Sequence, residues 1–513
     1  MALHIEGNEV VLSILGSFIL YLAFTFLSQR ATSSLPGPSG WPIIGNLLDL
    51  NVEYLYATCD KWKKQYGDVF QLSVLGGTMV VIGSADAANE LLERRGTKYS
   101  GRPDMPMITE LMGWEWSFTF MPYGNRWREQ RRLFVNNYHG GMIEHKVPAF
   151  EEVQKLLVSL LDSPESFSHH LKTYTAGLII KRTYGYNVTS MNDPLLRLVD
   201  ETNKTTSIAV TPGAFWVNLF PKMKYIPEWV LPGGGFKRQA REWRKLTDAM
   251  VEVPFQMVKE QVMKGTSSPS FVSKCLDLDS DPRRTSLTDK LIKETAAVAY
   301  AAGADTTFSV LASFVLAMTL YPEAQKRMQA EIDSVCSVER FPVFEDRPQL
   351  PYTDSVLVEV MRLTPPLPLA VPHRLDEADT FRGKYIPKGS VILANVWAIL
   401  RDEEVFEDPS TFKPERYIDN PALRDKALNA IFGYGRRSCA GKGLALDTAW
   451  IAMVSIISAF DISKAVDKNG NEIDFEVKVL PGSASHVRPF PCKITPRFSS
   501  SMRMIKELAQ ELS

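Results

Sequence analysis

The segment with the most distinctive chemistry surrounds Cys439, in residues 432–441, which read FGYGRRSCAG. A thiolate stays ionised when positive charge and backbone N–H donors lie close to it, and two arginines precede this cysteine. The glycines allow the backbone to wrap tightly, and a helical run over residues 444–460 would direct the positive end of its dipole toward the sulfur. The pattern indicates an axial-ligand loop for haem iron, although a glycine turn with a buried cysteine would use the same residues.

Two further polar motifs lie in predicted helices. Glu359 and Arg362 can pair on one helix face, and such a pair taken alone is usually an exposed salt bridge of little weight. Residues 302–307 read AGADTT, and aspartate and threonine are unfavourable inside a helix. A threonine hydroxyl can donate to the carbonyl one turn back and open a groove, which indicates function. The alternative is a helix with a satisfied polar patch.

Together these segments resemble the cytochrome P-450 family. The family's haem-binding pattern is Phe-x-x-Gly-x-Arg-x-Cys-x-Gly, and every fixed position is matched, by Phe432, Gly435, Arg437, Cys439 and Gly441. Ala440 stands where many members carry proline or isoleucine, a position that tolerates change. The resemblance covers residues 35 to about 496, and details such as residues 99–103 (YSGRP) are similar to fungal members that act in secondary metabolism.

The resemblance implies a catalytic site around haem. Cys439 is expected to be the axial ligand of the iron. Thr306 is expected to hydrogen-bond dioxygen above the haem, and Asp305 is expected to relay protons. Gly303 is expected to leave room for the oxygen.

A buried charge network is also implied. In the family, a Glu-x-x-Arg pair is joined by an arginine from a later Pro-Glu-Arg segment, and here the trio is Glu359, Arg362 and Arg416. Its expected role is structural, because it would hold the loop that presents Cys439. Removing one member would leave an uncompensated buried charge, at a cost of about 3–5 kcal/mol.

Basic and aromatic side chains are expected to contact the cofactor, because an arginine–carboxylate pair with a haem propionate is a strong charge-assisted interaction. Trp127 and Arg131 share one face of a predicted helix, where the alternative is a packing tryptophan beside an exposed arginine. Whether His373 or Arg374 joins them stays open. The residues expected to bind the cofactor are Trp127, Arg131, His373, Phe432, Arg437 and Gly441.

The substrate pocket is expected, by family position, to be lined by apolar or small residues. These suit a lipophilic substrate such as a terpenoid, polyketide or steroid, although they would also suit an ordinary core. The residues are Phe118, Phe120, Ala299, Gly303, Leu369, Ala370, Val371, Ser483 and Ala484.

The implied activity is an NADPH- and O2-dependent monooxygenation at haem b. No flavin-binding segment follows Cys439, so electrons are expected from a separate NADPH–cytochrome P-450 reductase, with cytochrome b5 as a second candidate donor. Arg436 and Lys442 could steer an acidic reductase surface toward the thiolate loop. One alternative is a haem isomerase or dehydratase on the same fold, which needs no NADPH and usually lacks the acid–threonine pair. The other is a non-catalytic haem-binding protein.

The elements that must position these residues are mainly helical. Apolar residues recur at helical spacing over residues 151–161, an alanine-rich helix spans about 288–320, and another begins at Pro322. Short strands are predicted at residues 69–74, 79–82 and 390–393, and a polar surface loop at 265–284. The expected fold is one large, mainly α haem domain with small β-sheets.

The amino terminus carries the clearest targeting signal. Residues 10–27 contain no charge and approach the length of a membrane-spanning helix, and the acidic residues before them argue against a cleaved signal peptide. We expect a membrane anchor over residues 1–30, a stiff proline-rich hinge over 31–42 and the haem domain over 43–513. The anchor would cross the endoplasmic reticulum membrane once and leave the catalytic domain in the cytosol, beside membrane lipid.

Composition argues against other classes. The net charge is −1 and no basic run occurs, so nucleic-acid binding is not indicated. The five cysteines are odd in number and far apart, which argues against a disulfide framework or a zinc ribbon.

Overall fold

The structure is a computed structural model, and it describes residues 34–50, 54–139, 141–190, 192–229, 235–277, 288–336, 340–480, 482 and 484–512. The predicted membrane anchor, the first residues of the predicted hinge and Ser483 lie outside these residues.

Helices make up most of the described chain, as the sequence predicts. The longer ones are α1 (Leu55–Tyr66), α2 (Asn125–Tyr138), α3 (Ile143–Asp162), α4 (Phe167–Tyr184), α5 (Pro194–Val210), α6 (Gly235–Met263), α7 (Phe271–Leu276), α8 (Asp289–Leu320), α9 (Pro322–Val335), α10 (Pro351–Leu363), α11 (Pro421–Phe432), α12 (Lys442–Ala459) and α13 (Ser499–Leu512). Single α-turns lie at Ala85–Ala88, Gly96–Tyr99, Trp216–Leu219 and Val396–Ile399. Short 3-10 or π segments lie at Leu47–Asp49, Asn89–Arg94, Met107–Leu111, Pro164–Ser166, Pro221–Tyr225, Phe344–Gln349, Pro414–Tyr417 and Gly435–Arg437.

The strands are short, and they form small sheets. They are β1 (Val69–Val74), β2 (Gly77–Ile82), β3 (His373–Arg374), β4 (Asp379–Phe381), β5 (Lys384–Ile386), β6 (Val391–Ala394), β7 (Phe460–Lys464), β8 (Val479–Leu480), β9 (His486–Val487) and β10 (Cys492–Pro496). One sheet has the order β1-β2-β6-β3, in which only the β2–β6 pair is parallel. The pairs β4–β5, β7–β10 and β8–β9 are antiparallel. The three strands predicted from the sequence are therefore confirmed as β1, β2 and β6.

The long helix α8 is buried over most of its length and packs against α4 and α12. Its start is fixed by Thr288, whose side chain accepts a hydrogen bond from the backbone N–H of Leu291 at 3.2 Å. It ends at Leu320, and Pro322 begins α9, where proline's missing N–H costs nothing. This confirms the predicted helix.

One predicted loop is partly helical. The stretch 265–284 was expected to be a surface loop, but α7 lies within it. Ser270 and Ser273 form a reciprocal capping box at its start, and Phe271, Val272 and Cys275 are buried against the core. The prediction was wrong because the polar flanks of this stretch outweighed its short apolar centre.

The described part of the proline-rich segment packs on the domain. Leu35 is buried, and the carbonyl of Pro36 accepts a hydrogen bond from the N–H of Gln71 in β1 at 2.9 Å. A Cβ atom at Gly37 would lie only 2.0 Å from the Gln71 carbonyl oxygen, so the two backbones touch. Residues 34–42 are non-helical, as expected, but they lie against β1.

Within the described residues, α8 and α12 are the two helices long and apolar enough to cross a membrane. In each, 72% of the apolar window is buried inside the protein. Burial in the core therefore accounts for their composition.

Candidate active site

A cavity opens between α8 and α12, and Cys439 lies on its wall. The N–H of Cys439 donates to the carbonyl of Phe432 at 2.7 Å, which closes the loop back onto the end of α11. Gly435 has a φ of +62°, and a Cβ there would lie 2.3 Å from the carbonyl oxygen of Leu92. Only glycine fits this contact, which holds the loop against the segment Asn89–Arg94.

The thiol of Cys439 has accessible surface, but that surface is the wall of an internal cavity. Burial raises the pKa of this thiol, while the N–H of Gly441 and the charges of Arg131 and Lys442 lower it. The cations and the donor favour the thiolate but do not outweigh desolvation. A coordinated metal ion supplies the further positive charge that ionises a buried thiol outright.

Three arginines cluster at one end of the cavity: Arg102, Arg131 and Arg437. Each donates to backbone carbonyls, including Thr119 for Arg102 at 2.8 Å and Ser438 for Arg131 at 2.7 Å. Arg437 donates to the carbonyls of residues 100, 118 and 121 at 2.9–3.1 Å. Among the described residues, none of the three guanidinium groups is hydrogen-bonded to a carboxylate.

Burial lowers the pKa of all three arginines, to about 10 for Arg437 and well below its usual range for Arg102. Buried cations that lack anionic partners carry an unpaid desolvation cost. This donor set therefore fits a cofactor that brings carboxylates to the same end of the cavity, as the two propionates of haem do. Arg102 was not among the predicted site residues, although it stands in the segment YSGRP that the sequence analysis had noted.

The indole N–H of Trp127 donates to the carbonyl of Phe118 at 3.0 Å. Its ring lies 5.3 Å from the guanidinium carbon of Arg131 and 4.9 Å from that of Arg437. Trp127 thus supports the two arginines by cation–π contact, and its N–H is engaged with the backbone. The expected contact of Trp127 with a haem propionate stays a prediction.

The structure distinguishes between His373 and Arg374 as candidates to contact the cofactor. His373 lines the cavity, and its Nδ1 lies 2.7 Å from the carbonyl oxygen of Tyr99. Burial and the nearby charge of Arg102 lower its pKa to about 3, so the imidazole is neutral. Arg374 is not on the cavity wall, and it pairs with Asp104 and Asp376. Of the two, His373 is the one placed to reach a cofactor.

On α8, Thr306 lies on the cavity wall, and its hydroxyl donates to the carbonyl of Ala302 at 3.0 Å. Asp305 is not on that wall, and its Oδ2 lies 3.1 Å from Nε2 of His486 in β9. Gly303 lines the cavity, but a Cβ at this position would approach Ile179 of α4 at 3.0 Å. Close packing of α8 on α4 therefore favours a glycine here, and its expected role of leaving room for oxygen stays a prediction.

Two side chains that sequence reasoning missed bind carbonyls of the same helical segment. Asn203 of α5 donates to the carbonyl of Ala301 at 2.9 Å, and Thr175 of α4 donates to that of Ala304 at 2.9 Å. With the Thr306 bond to Ala302, three carbonyls in one turn carry an additional hydrogen bond. No local sequence signal marks these donors, because both come from distant helices.

The predicted charge network is present and buried. Both carboxylate oxygens of Glu359 accept from Arg362, at 2.8 and 2.9 Å, and Arg416 adds a third bond at 3.2 Å. The hydroxyl of Tyr417 and the N–H of Lys413 complete the set at 3.1 and 2.9 Å. The segment Pro414–Tyr417 contacts both α10 and α11, and α11 leads directly into the thiolate loop. The network therefore ties α10 to the element that precedes Cys439.

The expected substrate wall is only partly correct. Five of the predicted residues line the cavity: Phe118, Ala299, Gly303, Ala370 and Val371. Phe120 instead packs edge-on against Trp114, and Leu369 packs beside α1 and β1. Ala484 is buried away from the cavity wall. Family position located these segments but not the direction of each side chain.

Further apolar residues, absent from the prediction, complete the wall. They include Leu178, Ile179, Val298, Val310, Leu367 and Val396. No aspartate or glutamate is among the described residues that line the cavity. The polar side chains there carry hydroxyls, imidazoles, guanidiniums, the thiol of Cys439 and the indole of Trp127, so the cavity suits a neutral or anionic ligand.

Comparison with known proteins gives a consistent result. The family model described as Cytochrome P-450 matches residues 35–486. A cytochrome P-450 monooxygenase of Armillaria gallica is 47% identical over 493 residues, which cover 95% of this chain and 97% of that protein. Cytochrome P-450 monooxygenase COX2 of Coprinopsis cinerea is 36% identical, covering 99% of this chain and 98% of that protein. Tryptamine 4-monooxygenase of Psilocybe cyanescens is 37% identical, covering 92% and 94%.

Proposed function

Because the chain belongs to the cytochrome P-450 family and is a haem monooxygenase of that family, we propose that it hydroxylates a neutral, lipophilic small molecule. Terpenoids, polyketides and steroids are the candidate substrates, and fungal secondary metabolism is the proposed setting. The reaction takes one oxygen atom from O2 into the substrate and reduces the other to water.

The observation that carries the proposed substrate class is the composition of the cavity wall. Its apolar residues come from several elements, such as Val298 and Ala299 of α8 and Leu367, Ala370 and Val371 after α10. Since no carboxylate lies among the described lining residues, a protonated amine would find no partner there. A relative that acts on tryptamine is similar to this chain, but the wall favours an uncharged substrate.

We assign the cofactor contacts as follows. Cys439 would ligate the iron, with Phe432 and Gly441 supporting the loop, while Arg102, Arg131, His373 and Arg437 would hold the propionates. When bound, the haem supplies the oxygen chemistry, and its thiolate ligand favours cleavage of the O–O bond. The chain's own part is to hold the cofactor, exclude water and deliver protons near Thr306.

The electrons are proposed to come from NADPH through a separate reductase, with cytochrome b5 as a second candidate donor. Monooxygenases of the family typically use such a redox partner, and Arg436 is an exposed cation beside the thiolate loop. We further propose that residues 1–30 anchor the enzyme in the endoplasmic reticulum membrane, with the haem domain facing the cytosol. The uncharged run at residues 10–27 supports this proposal.

The geometry at Thr306 favours a monooxygenase over a redox-independent isomerase or dehydratase. Its hydroxyl lies on the cavity wall, and Asp305 precedes it in the chain, so the acid–threonine pair that an isomerase has no need to keep is intact. A non-catalytic haem carrier would likewise need neither this pair nor an apolar cavity.

The substrate class is tested with membranes that contain the full-length protein and its reductase. They are incubated with NADPH and two matched panels, neutral terpenoids and steroids against amines such as tryptamine, and products are identified by mass spectrometry. We expect NADPH-dependent products that are 16 mass units heavier than members of the neutral panel. Products from amines alone would contradict the proposal, and products formed without NADPH would favour the isomerase.

A further inference from the structure

Asp305 and His486 form a pair outside the cavity. The two side chains are 3.1 Å apart, and each keeps about a quarter of its surface accessible, 24% and 26% respectively. Neither residue lines the cavity, so the cavity does not account for this exposure. The next residue, Thr306, does line the cavity. Neighbours can face different surroundings in this way because successive residues of a helix point about 100° apart. The pair therefore lies between an accessible surface and the catalytic threonine.

The backbone on both sides of this pair is fixed. The hydroxyl of Ser309 in α8 donates to the carbonyl of Ser485, the residue before His486. The N–H of Ser485 donates to the carbonyl of Pro366 at 2.8 Å. The ring of His486 also lies 5.9 Å from that of Phe308. These contacts hold the imidazole beside α8 independently of the Asp305 bond.

The carboxylate of Asp305 has a single side-chain partner. Among the described residues, His486 alone is hydrogen-bonded to it. Lys172 of α4 lies over the ring of Phe308 at 5.7 Å, but its charge is paired with Asp200 of α5. Asp200 is also paired with Lys204. The direction in which the Asp305 carboxylate points thus depends on one bond.

We propose that His486 is a positioning residue for proton delivery: it orients the Asp305 carboxylate and connects it to solvent. Monooxygenation consumes substrate, O2, two electrons and two protons, and yields hydroxylated substrate and water. When proton delivery to the site is disrupted, the same two electrons and two protons reduce O2 to hydrogen peroxide instead. His486 therefore governs how the electrons divide between product and peroxide. The inference rests on the monooxygenase activity and not on the proposed substrate class.

The test compares three substitutions at one position. His486→Gln places its amide nitrogen near the position of the imidazole Nε2, whereas His486→Asn is too short and resembles Nδ1, and His486→Leu has no donor. Product and peroxide are measured per NADPH consumed, using any substrate that the wild type converts, whether neutral or charged. We expect the product yield to fall about 10-fold in His486→Leu and His486→Asn, less than for a direct proton donor, and to stay near wild type in His486→Gln.

A double variant separates positioning from folding. If His486 acts through Asp305, His486→Leu should lower the product yield no further when added to Asp305→Asn. The proposal would be overturned if the losses of the two single variants add in the double variant. It would also be overturned if His486→Asn and His486→Leu both form as much product per NADPH as the wild type. If His486→Leu does not incorporate haem, the comparison of His486→Gln with His486→Asn still decides the question.

Crystal structures give a readout that does not depend on turnover. In His486→Gln the amide nitrogen should remain within hydrogen-bond distance of Asp305 Oδ2, and in His486→Asn the carboxylate should adopt another rotamer. An unchanged Asp305 rotamer in His486→Asn would contradict the proposed role of the histidine.

Discussion

At the scale of single residues, Cys439 is subject to opposing influences. Burial raises the pKa of its thiol, and the N–H of Gly441 with the cations Arg131 and Lys442 lowers it. The protein supplies part of the positive charge that the thiolate needs, and a bound metal ion would supply the rest. The arginine cluster is likewise incompletely neutralised by the protein, because its buried cations lack carboxylate partners among the described residues. Both features indicate a site that is energetically complete only with a cofactor that carries a cation and two carboxylates.

Thr306 permits a prediction at this scale. Replacing it with valine keeps the shape of the side chain and removes the hydroxyl that faces the cavity. The rate of product formation should fall by about 10- to 100-fold, at or just below the usual range for a lost proton-transfer group, while NADPH oxidation continues and peroxide accumulates. Product and peroxide are quantified per NADPH.

The matched control is Thr295→Val in the same helix. Thr295 is fully buried and its hydroxyl donates to the carbonyl of Leu291 at 2.7 Å, but it is not on the cavity wall. Thr295→Val should leave the amounts of product and peroxide formed per NADPH unchanged. Equal effects of the two substitutions would show that Thr306 matters for the helix and not for the reaction.

Individual residues were predictable where the signal was local. The thiolate loop and the Glu-x-x-Arg pair are compact in sequence, and the structure brings Arg416 to that pair as expected. Asn203, Arg102 and His486 were missed because their roles depend on contacts with segments far away in the chain. Gly303 lines the cavity, as expected, but its close approach to Ile179 of α4 was not foreseen from the sequence.

At the scale of elements, α8 and α12 form two walls of the cavity, and the thiolate loop connects α11 to α12. The loop is held from two sides, by Gly435 against the segment Asn89–Arg94 and by the charge network that links α10 to the segment Pro414–Tyr417. Each contact can be removed separately.

Gly435→Ala tests the first contact. The new Cβ would collide with the carbonyl of Leu92, in addition to the backbone cost of about 1–2 kcal/mol for a left-handed residue. We expect the purified variant to bind much less haem, measured as the ratio of Soret to protein absorbance. Gly470→Ala is the control, because Gly470 has a φ of +86° but no atom within 4 Å of the added Cβ. Normal haem content in Gly435→Ala would refute the account of the loop.

Glu359→Gln tests the second contact. It removes the buried negative charge and leaves Arg362 and Arg416 without a counter-ion, which should lower the free energy of unfolding by about 3–5 kcal/mol. Urea denaturation followed by haem absorbance measures the change. The exposed pair Glu323–Lys326, at 2.8 Å, supplies the control. Glu323→Gln should lower the free energy of unfolding by less than about 1 kcal/mol. A similar decrease in both variants would mean that the buried network stabilises the fold no more than an exposed ion pair does.

Secondary structure was predictable where one periodicity covered a long stretch, as in α8. It failed at α7, whose six residues are too short for a helical period to be recognised between polar flanks. The direction of side chains in irregular segments was also beyond the sequence, as Phe120 and Leu369 show.

At the scale of the whole molecule, the catalytic centre is enclosed and its electrons must cross the protein surface. Arg436 is exposed beside the thiolate loop, where its guanidinium contacts the ring of Tyr123 at 5.2 Å and the hydroxyl of Thr97 at 3.0 Å. Lys442 begins α12 on the other side of Cys439. Arg436 is exposed and Lys442 is half-buried over the ring of Phe432, and we propose that their charges attract an acidic partner.

Reversing both charges, Arg436→Glu with Lys442→Glu, should slow reductase-driven turnover by about 10-fold at low ionic strength, and the difference should shrink as salt screens it. Turnover is measured over a series of salt concentrations with purified reductase. The control is Arg241→Glu with Lys245→Glu, two exposed residues of α6. Identical salt dependence in both double variants would exclude steering at the thiolate loop.

The most direct test of the central claim is the carbon-monoxide difference spectrum of the reduced membrane fraction, recorded for the wild type and for Cys439→Ser. If the thiolate of Cys439 ligates the iron, we expect a strongly red-shifted Soret band in the wild type and no such band in the variant. A folded, haem-loaded wild-type protein without this band, or a variant that retains it, would contradict the ligand assignment and the mechanism that depends on it.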